Sequence, residues 1–261
     1  MYRFIGKQLQ RIGLWYGSSD AAFVPLRPDA PFWAIGDVHG CSTLLDQLLA
    51  QMNDDPVIFV GDLIDRGPNS REVLERVFEL CSGPASKYQT LMGNHEKLLL
   101  DFLKDPGGAG RSWTRYGGLQ TLESFGVPLS GSVLSDAAYC DARDALVKKM
   151  GQPLIHWLAE LPYAWSSGNV HVVHAGADPS RPISTQEPHH LIWGHPDFGH
   201  IKRTDGQWVL HGHVIVPNPT QMAGRIAIDT GAYATGTLTA AHVSEGSVDF
   251  VSTGALLNKR G

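Results

Sequence analysis

"FWAIGDVHGCSTLLDQLLAQMNDDPVIFVGD", Phe32 to Asp62, decides the reading of the fold. A short apolar run breaks at Gly-Asp-Val-His-Gly. An amphipathic stretch follows, and a second apolar run breaks at Gly-Asp. Short apolar runs between turn signals read as strands buried on both faces. "STLLDQLLAQM" has helical spacing, with Ser42 placed to cap it. The unit then recurs: "SREVLERVFEL" predicts a helix capped by Asn69 or Ser70, "YQTLMGN" a third strand, and "HEKLLLDFLK" a helix that "DPGG" stops. Strand and helix in alternation predict parallel βαβ units in a covered sheet.

Outward from this core the pattern changes. Residues 1–31 read as an N-terminal segment and linker, and residues 32–261 as one domain. In "MYRFIGKQLQRIGLWYG", Ile5, Leu9, Ile12 and Tyr16 share one helical face and Arg3, Lys7 and Arg11 another. That predicts a helix docked on its own domain, with a membrane surface or a partner as the other options. "SSDAAFVPLRPDAP" reads as the linker. Residues 106–161 read as a mostly helical insertion, whose long helix Gly151 ends at a C-cap position. Within it, "RSWTRYGG" is either a lid or an aromatic anchor. Strands return at "NVHVVHAG", "QWVLHGH", "RIAIDTGA", "TLTAAHV" and "SVDFVST", the last three suggesting an antiparallel run. The expected architecture is α/β: a central sandwich of two β-sheets flanked by helices, with that helical insertion.

Composition removes several function classes. Hydrophobic residues make up 43% and charged residues 18%, as in soluble globular proteins. A net charge of -5 provides no basic field for nucleic acid. Three separated cysteines form no CxxC pair, which fits a reducing, cytoplasmic setting better than a disulfide framework. No apolar run approaches the ~20 residues of a membrane span.

The chemistry gathers at strand ends. Apolar runs stop at Asp37 and His39, at Asp62 with Asp65 and Arg66, at Asn94 and His95, at His174, and at His213, mostly beside glycine. In α/β sheets ligands bind beyond the carboxyl ends of the parallel strands, so the fold would collect these clusters at one rim. Asp37, His39, Asp62, Asn94, His174 and His213 offer carboxylate, amide oxygen and imidazole without thiolate. That donor mix suits manganese, iron, zinc or cobalt. Six ligands exceed the needs of one open ion and suit two divalent ions sharing a carboxylate.

The ordered set "GDVHG", "GDLIDRG", "GNHE", "HAG", "HGH" and "IDTGA" resembles the calcineurin-like metallophosphoesterases, and within them the bacterial phosphoprotein phosphatases. The resemblance implies that Asp37 and His39 hold one metal and Asp62 bridges both. Asn94, His174 and His213 would hold the second. It also implies that Arg66 clamps phosphoryl oxygens, with Asn94 assisting. His95 would be the general acid, oriented by Asp65, and a metal-bridging hydroxide would attack phosphorus. Glu96 reads as a first-turn acid favoured by the helix dipole, outside catalysis.

One motif departs from the family. Bacterial relatives commonly carry "LLWxR", whereas this chain has "HLIWGHPDF". His195 stands where a second phosphate-binding arginine is expected, and Arg203 or Arg115 could compensate. The acid Asp65 favours the protein phosphatases over the similar dinucleoside tetraphosphate hydrolases, which typically read "GDLVARG". Three readings therefore stand. One is a phosphomonoesterase acting on phosphoproteins, at serine and threonine first, or on small phosphoesters. The others are a dinucleoside polyphosphate hydrolase and a non-catalytic metal-binding scaffold.

Overall fold

The strands are β1 (Phe32–Ile35), β2 (Val57–Phe59), β3 (Tyr88–Thr90), β4 (Ala164–Ser167), β5 (Val170–Val173), β6 (Trp208–His211), β7 (Thr220–Met222), β8 (Arg225–Ala227), β9 (Thr239–Ser244) and β10 (Ser247–Ser252). They come from a computed structural model that describes residues 23–127, 129 and 135–256. One sheet has the order β10-β9-β1-β2-β3 and the other β4-β5-β6-β8-β7. β1, β2 and β3 are parallel, as are β5, β6 and β8, and antiparallel strands flank each group.

Strand periodicity explains why the apolar runs are unbroken. Phe32 and Ala34 of β1 face the inter-sheet core with Ile58, Val172, Leu210 and Ile226. Their neighbours Trp33 and Ile35 point the other way, into a core shared with the helices. Alternate side chains of a strand take opposite faces, and here both faces are covered.

The helices are α1 (Ser42–Leu49), α2 (Ser70–Cys81), α3 (Asn94–Lys104), α4 (Pro106–Trp113), α5 (Leu119–Ser124), α6 (Asp136–Met150), α7 (Gln152–Ala159), α8 (Pro188–Trp193) and α9 (Ala232–Thr235). Between α4 and α5 the chain kinks at Gly117, with φ 113°. α4 forms despite three glycines. Asp105 caps it through Gly108 N–H and Pro106 starts it. A Cβ on Gly110 would lie 2.5 Å from Tyr139 of α6, so the glycine permits close helix packing.

Several sequence expectations need correction. β8 does not join β9 and β10 in an antiparallel run. It pairs parallel with β6, because the chain after Asp229 crosses to the other sheet through α9. Cys41, not Ser42, occupies the position before α1, and Asn69 precedes α2 without a side-chain cap bond. β4 and β7 went unpredicted. Gly151 does end α6, with φ 75°. Residues 23–31 are stitched to the second sheet: Trp208 donates to Val24 O at 2.9 Å and Arg27 N–H to Asn169 at 2.7 Å. The amphipathic reading of residues 1–17 lies outside the described residues.

Candidate metal centre

The loops after β1, β2, β3, β5 and β6 meet at one edge of the sandwich. Among the described residues, six non-glycine residues have positive φ: His39, Asp62, Asp65, Arg66, His213 and Ala223. Five of these belong to the predicted site. Left-handed backbone at such residues costs of order 1–3 kcal/mol each and persists only where its surroundings impose it. The strain aims side chains that an ordinary strand end would send elsewhere.

Asp62 is the hub. Its Oδ2 lies 3.5 Å from His39 Nε2 and 3.8 Å from His95 Nε2, while its Oδ1 lies 3.4 Å from His174 Nε2. Burial pushes the Asp62 carboxyl up, but His174, His95, His39 and His213 together outweigh it and hold it well below the usual range. Two groups of side chains could each hold a cation: His39, Asp62 and His95, and Asp62, His174 and His213.

Tautomers show which atoms are bare. His39 Nδ1 donates to Ile64 O at 2.7 Å, and His174 Nδ1 to Val60 O at 3.1 Å. Burial pulls His39 and His213 down to about 3 and lowers His174, so these rings are neutral. A neutral imidazole carries one proton. Nε2 of His39 and of His174 therefore present lone pairs. His174 Nε2 faces Asn94 Oδ1 at 2.9 Å, another acceptor, and His213 Nδ1 at 3.2 Å. His213 Nδ1 in turn lies 2.8 Å from Asn94 Oδ1. At most one proton serves this group, so electron pairs oppose one another. A cation among them would resolve the repulsion, and ligand bonds of about 2.0–2.2 Å fit donors spaced this way. The backbone carbonyls that orient the imidazoles are what metal-binding histidines use. The residues fit a two-metal centre.

Asp37 is placed differently from its neighbours. Both of its oxygens accept His213 N–H, at 3.1 and 3.0 Å, and its side chain hydrogen-bonds to Asp229. A Cβ on Gly212 would sit 1.9 Å from Asp37 Oδ1, so only glycine allows this approach. Burial raises Asp37 well above the carboxylate range, with Asp229 and then Asp62 adding to it. Asp229 is pushed up to about 6, first by burial. Asp229 was not foreseen as a site residue, although "IDTGA" carries the same signature of an acid beside glycine after an apolar strand.

The second half of the site is a buried pair. His95 Nδ1 donates to Asp65 Oδ2 at 2.7 Å, and both side chains are 0% exposed. His95 Nε2 is buried with no hydrogen-bond partner among the described residues. Burial pushes the Asp65 carboxyl up, against donors on His95, Thr121 and Trp113. For His95 burial pulls down, but Asp62 and Asp65 prevail and the ring stands above its ordinary value. Trp113 and Thr121 were not singled out as partners of Asp65. The "RSWTRYGG" motif is thus an anchor at Trp113, which is buried, and a rim at Tyr116, which is exposed with its ring 6.3 Å from that of His95.

The remaining candidates divide. Arg66 is half-buried, with its Cζ 4.9 Å from the Tyr233 ring centre. Arg115 is exposed next to Tyr116. His195 lies two residues beyond Trp193, whose ring is 6.4 Å from that of His213; its Nε2 is 3.8 Å from Asp178 Oδ2 and its Nδ1 accepts Asp197 N–H. Arg203 does not match its expected role. It is 3% exposed, and its guanidinium binds Asp205, Asp178 O and Arg181 O, bracing a loop instead of offering charge to phosphate. Glu96 stands in the first turn of α3, as expected, and has partners beyond that helix. It accepts N–H bonds from Asp62, Leu63 and Gly93 at 2.8, 2.8 and 3.1 Å.

Comparison with known proteins agrees with this geometry. The sequence pattern of the calcineurin-like phosphoesterases matches residues 30–225. The chain is 33% identical over 150 residues to a symmetrical bis(5'-nucleosyl)-tetraphosphatase of Ralstonia nicotianae, covering 57% of this chain but only 43% of that relative. It is 29% identical over 220 residues to serine/threonine-protein phosphatase 2 of Escherichia coli, covering 79% of this chain and 89% of the relative. A solved structure provisionally titled a diadenosine tetraphosphatase superposes with a TM-score of 0.59 at 21% identity, covering 88% of this chain and 98% of that one. With the two facing sheets and the rim of histidines and carboxylates, these matches identify the chain as a member of the calcineurin-like phosphoesterase family.

Proposed function

We propose that this protein is a two-metal phosphomonoesterase of the serine/threonine protein phosphatase type. Asp37, His39 and Asp62 would hold one divalent ion, and Asp62, Asn94, His174 and His213 the other. Manganese is the first metal to test, with iron, zinc and cobalt as alternatives. The bound ions would supply charge neutralisation at the phosphoryl group and an acidified water.

The observation that carries the reading is the Asp65–His95 pair at 2.7 Å, with His95 Nε2 left as a buried nitrogen without a hydrogen-bond partner among the described residues. Asp65 holds the Nδ1 proton, so the proton available for transfer sits on Nε2. An alkoxide leaving from phosphoserine or phosphothreonine is strongly basic and needs such a proton. A nucleotide phosphate leaving from an anhydride has a second pKa of about 6 and does not. Arg66 would meet charge on the phosphoryl oxygens with a planar fork of donors, and Asn94 would assist. His195 and exposed Arg115 are further candidate phosphate contacts, and Arg203 is not among them. The proposed setting is cytoplasmic, with phosphoproteins or small phosphoesters as substrates.

The 33% identical tetraphosphatase keeps a second reading, dinucleoside polyphosphate hydrolysis. One panel separates the two: p-nitrophenyl phosphate, a phosphothreonine peptide and diadenosine tetraphosphate, each with manganese or chelator. Metal-dependent turnover of the first two, well above the third, is expected. A clear preference for diadenosine tetraphosphate would replace the proposal. No turnover of any would leave a metal-binding scaffold.

A further inference from the structure

The helical segment behind the site is wired to the general acid. Trp113, the last residue of α4, donates its indole N–H to Asp65 at 2.9 Å from Oδ2 and 3.2 Å from Oδ1. Thr121 of α5 donates its hydroxyl to Asp65 Oδ1 at 2.6 Å and accepts Asp65 N–H at 3.0 Å. One hydroxyl thus clamps both the carboxylate and the backbone of a residue held at φ 71°. Counting His95, the carboxylate has three donors among the described residues, and the side chain is 0% exposed.

The clamp is rigid. Trp113 is fully buried and lies 4.6 Å, ring to ring, from Phe102 of α3, the helix that begins with Asn94 and His95. Gly118 also lies so close that a Cβ there would come within 2.5 Å of the indole. The same segment reaches Arg66, whose N–H donates to Gly117 O at 3.2 Å. One element therefore touches the partner of the proposed acid and the backbone of the proposed phosphate clamp.

We propose that Trp113 and Thr121 are positioning residues for proton transfer: they fix the Asp65 carboxylate so that His95 keeps Nδ1–H on Asp65 and turns Nε2 toward the leaving oxygen. This rests on the phosphomonoesterase reading. Without these donors Asp65 could rotate, and His95 would sample orientations that protonate nothing. Metal binding and phosphoryl contacts would survive. The defect should therefore follow how much the leaving group needs a proton.

The test compares the full-length, manganese-loaded wild type with Thr121→Val and Trp113→Phe on 2,4-dinitrophenyl, p-nitrophenyl and phenyl phosphate, with metal content and thermal melting recorded. In Thr121→Val, Asp65 N–H keeps its bond to Ser70 Oγ at 3.0 Å, so mainly the carboxylate contact is lost. Loss of one charge-assisted hydrogen bond predicts about 10-fold to 100-fold lower kcat on phenyl phosphate, and a much smaller loss on the dinitrophenyl ester. KM and metal content should hold, and Thr121→Ser should restore the rate. Equal losses on all three esters would overturn the proposal and leave a structural role only. Should Trp113→Phe fail to fold, Thr121→Val decides. A second readout needs no activity: the downfield imidazole N–H proton resonance that disappears in His95→Asn should broaden or move in Thr121→Val and return in Thr121→Ser. If the wild type hydrolyses none of the esters, the phosphomonoesterase reading fails, and the resonance alone settles the positioning claim; an unmoved resonance would refute it.

Discussion

Glu96 accepts the backbone N–H of Asp62 at 2.8 Å, from 34 residues further along the chain. The bond holds the carboxylate hub where its backbone is left-handed, at φ 52°. The same carboxylate takes Leu63 N–H and Gly93 N–H. The start of α3 and the loop after β2 are thereby locked together, and Asp62 Oδ1 accepts His95 N–H in return at 3.0 Å. Burial pushes the Glu96 carboxyl up to about 7, with Asp62 adding to it.

Glu96→Gln should therefore damage the site without touching a metal. The amide would turn a donor toward at least one backbone N–H, leaving it unsatisfied. A buried unpaired group costs about 1–3 kcal/mol, or a fall in Tm of about 3–10 °C for a chain of this size. Metal affinity should fall as well, because Asp62 loses its brace. A thermal melt with and without manganese checks this, and an unchanged profile would return Glu96 to the simple helix-dipole role.

His95→Asn should lower turnover of a phosphothreonine peptide by about 10²–10⁴-fold with both metals retained. The buried His95 Nε2 would be lost while Asn94 and Asp62 stay in place. Rate measurements paired with elemental analysis check the two halves separately. A rate near wild type would remove the acid role.

How much of this was legible depends on range. Asp37, His39 and Asp62 announce themselves because strand end, glycine and chemistry lie within a few residues. Phe32 and Ile58 reveal a two-sided sheet because local alternation is enough. Glu96 hides because its neighbours also make an ordinary helix start. Its real partners, Asp62 and Leu63, sit on another strand end. Trp113 and Thr121 lie 48 and 56 residues from Asp65, a separation no local pattern encodes. β7 is three exposed residues without an apolar run, so it carried no strand signal.

His195→Ala should raise KM for a phosphomonoester while kcat changes little. The ring stands beyond Trp193 at the edge of the site, and its Nε2 is only loosely engaged by Asp178 at 3.8 Å. A hydrogen bond to phosphate at this position is worth about 0.5–1.5 kcal/mol, or about 2-fold to 12-fold in KM. His195→Arg should recover the loss by restoring a fixed charge. Equal KM values in all three proteins would make His195 a loop residue that serves Asp178 alone.

Loading the centre should release protons, and the two carboxylates Asp37 and Asp229 are their source. Asp37 stands well above its ordinary value and Asp229 at about 6, both raised first by burial. Their side chains hydrogen-bond to each other, so one proton is shared between them. A raised acid holds its proton at a pH where a free carboxylate would have lost it. Where these carboxyls are still protonated, around pH 6 and below for Asp229, a cation must displace the proton, and at higher pH less of it is left to displace. Metal affinity should therefore rise as pH rises through this range and then level off. The histidine donors add little to the effect, since His39 and His213 lie near 3 and are neutral throughout. Titration of chelator-treated protein with manganese, in two buffers of different ionisation enthalpy, reads the proton count directly. A larger proton release near pH 5.5 than at pH 8 is expected. Asp229→Asn leaves an amide donor facing Asp37, so Asp37 ionises at lower pH and the rise in affinity moves down with it. Heats independent of buffer at pH 5.5 would mean that the pair holds no shared proton for the metal to displace.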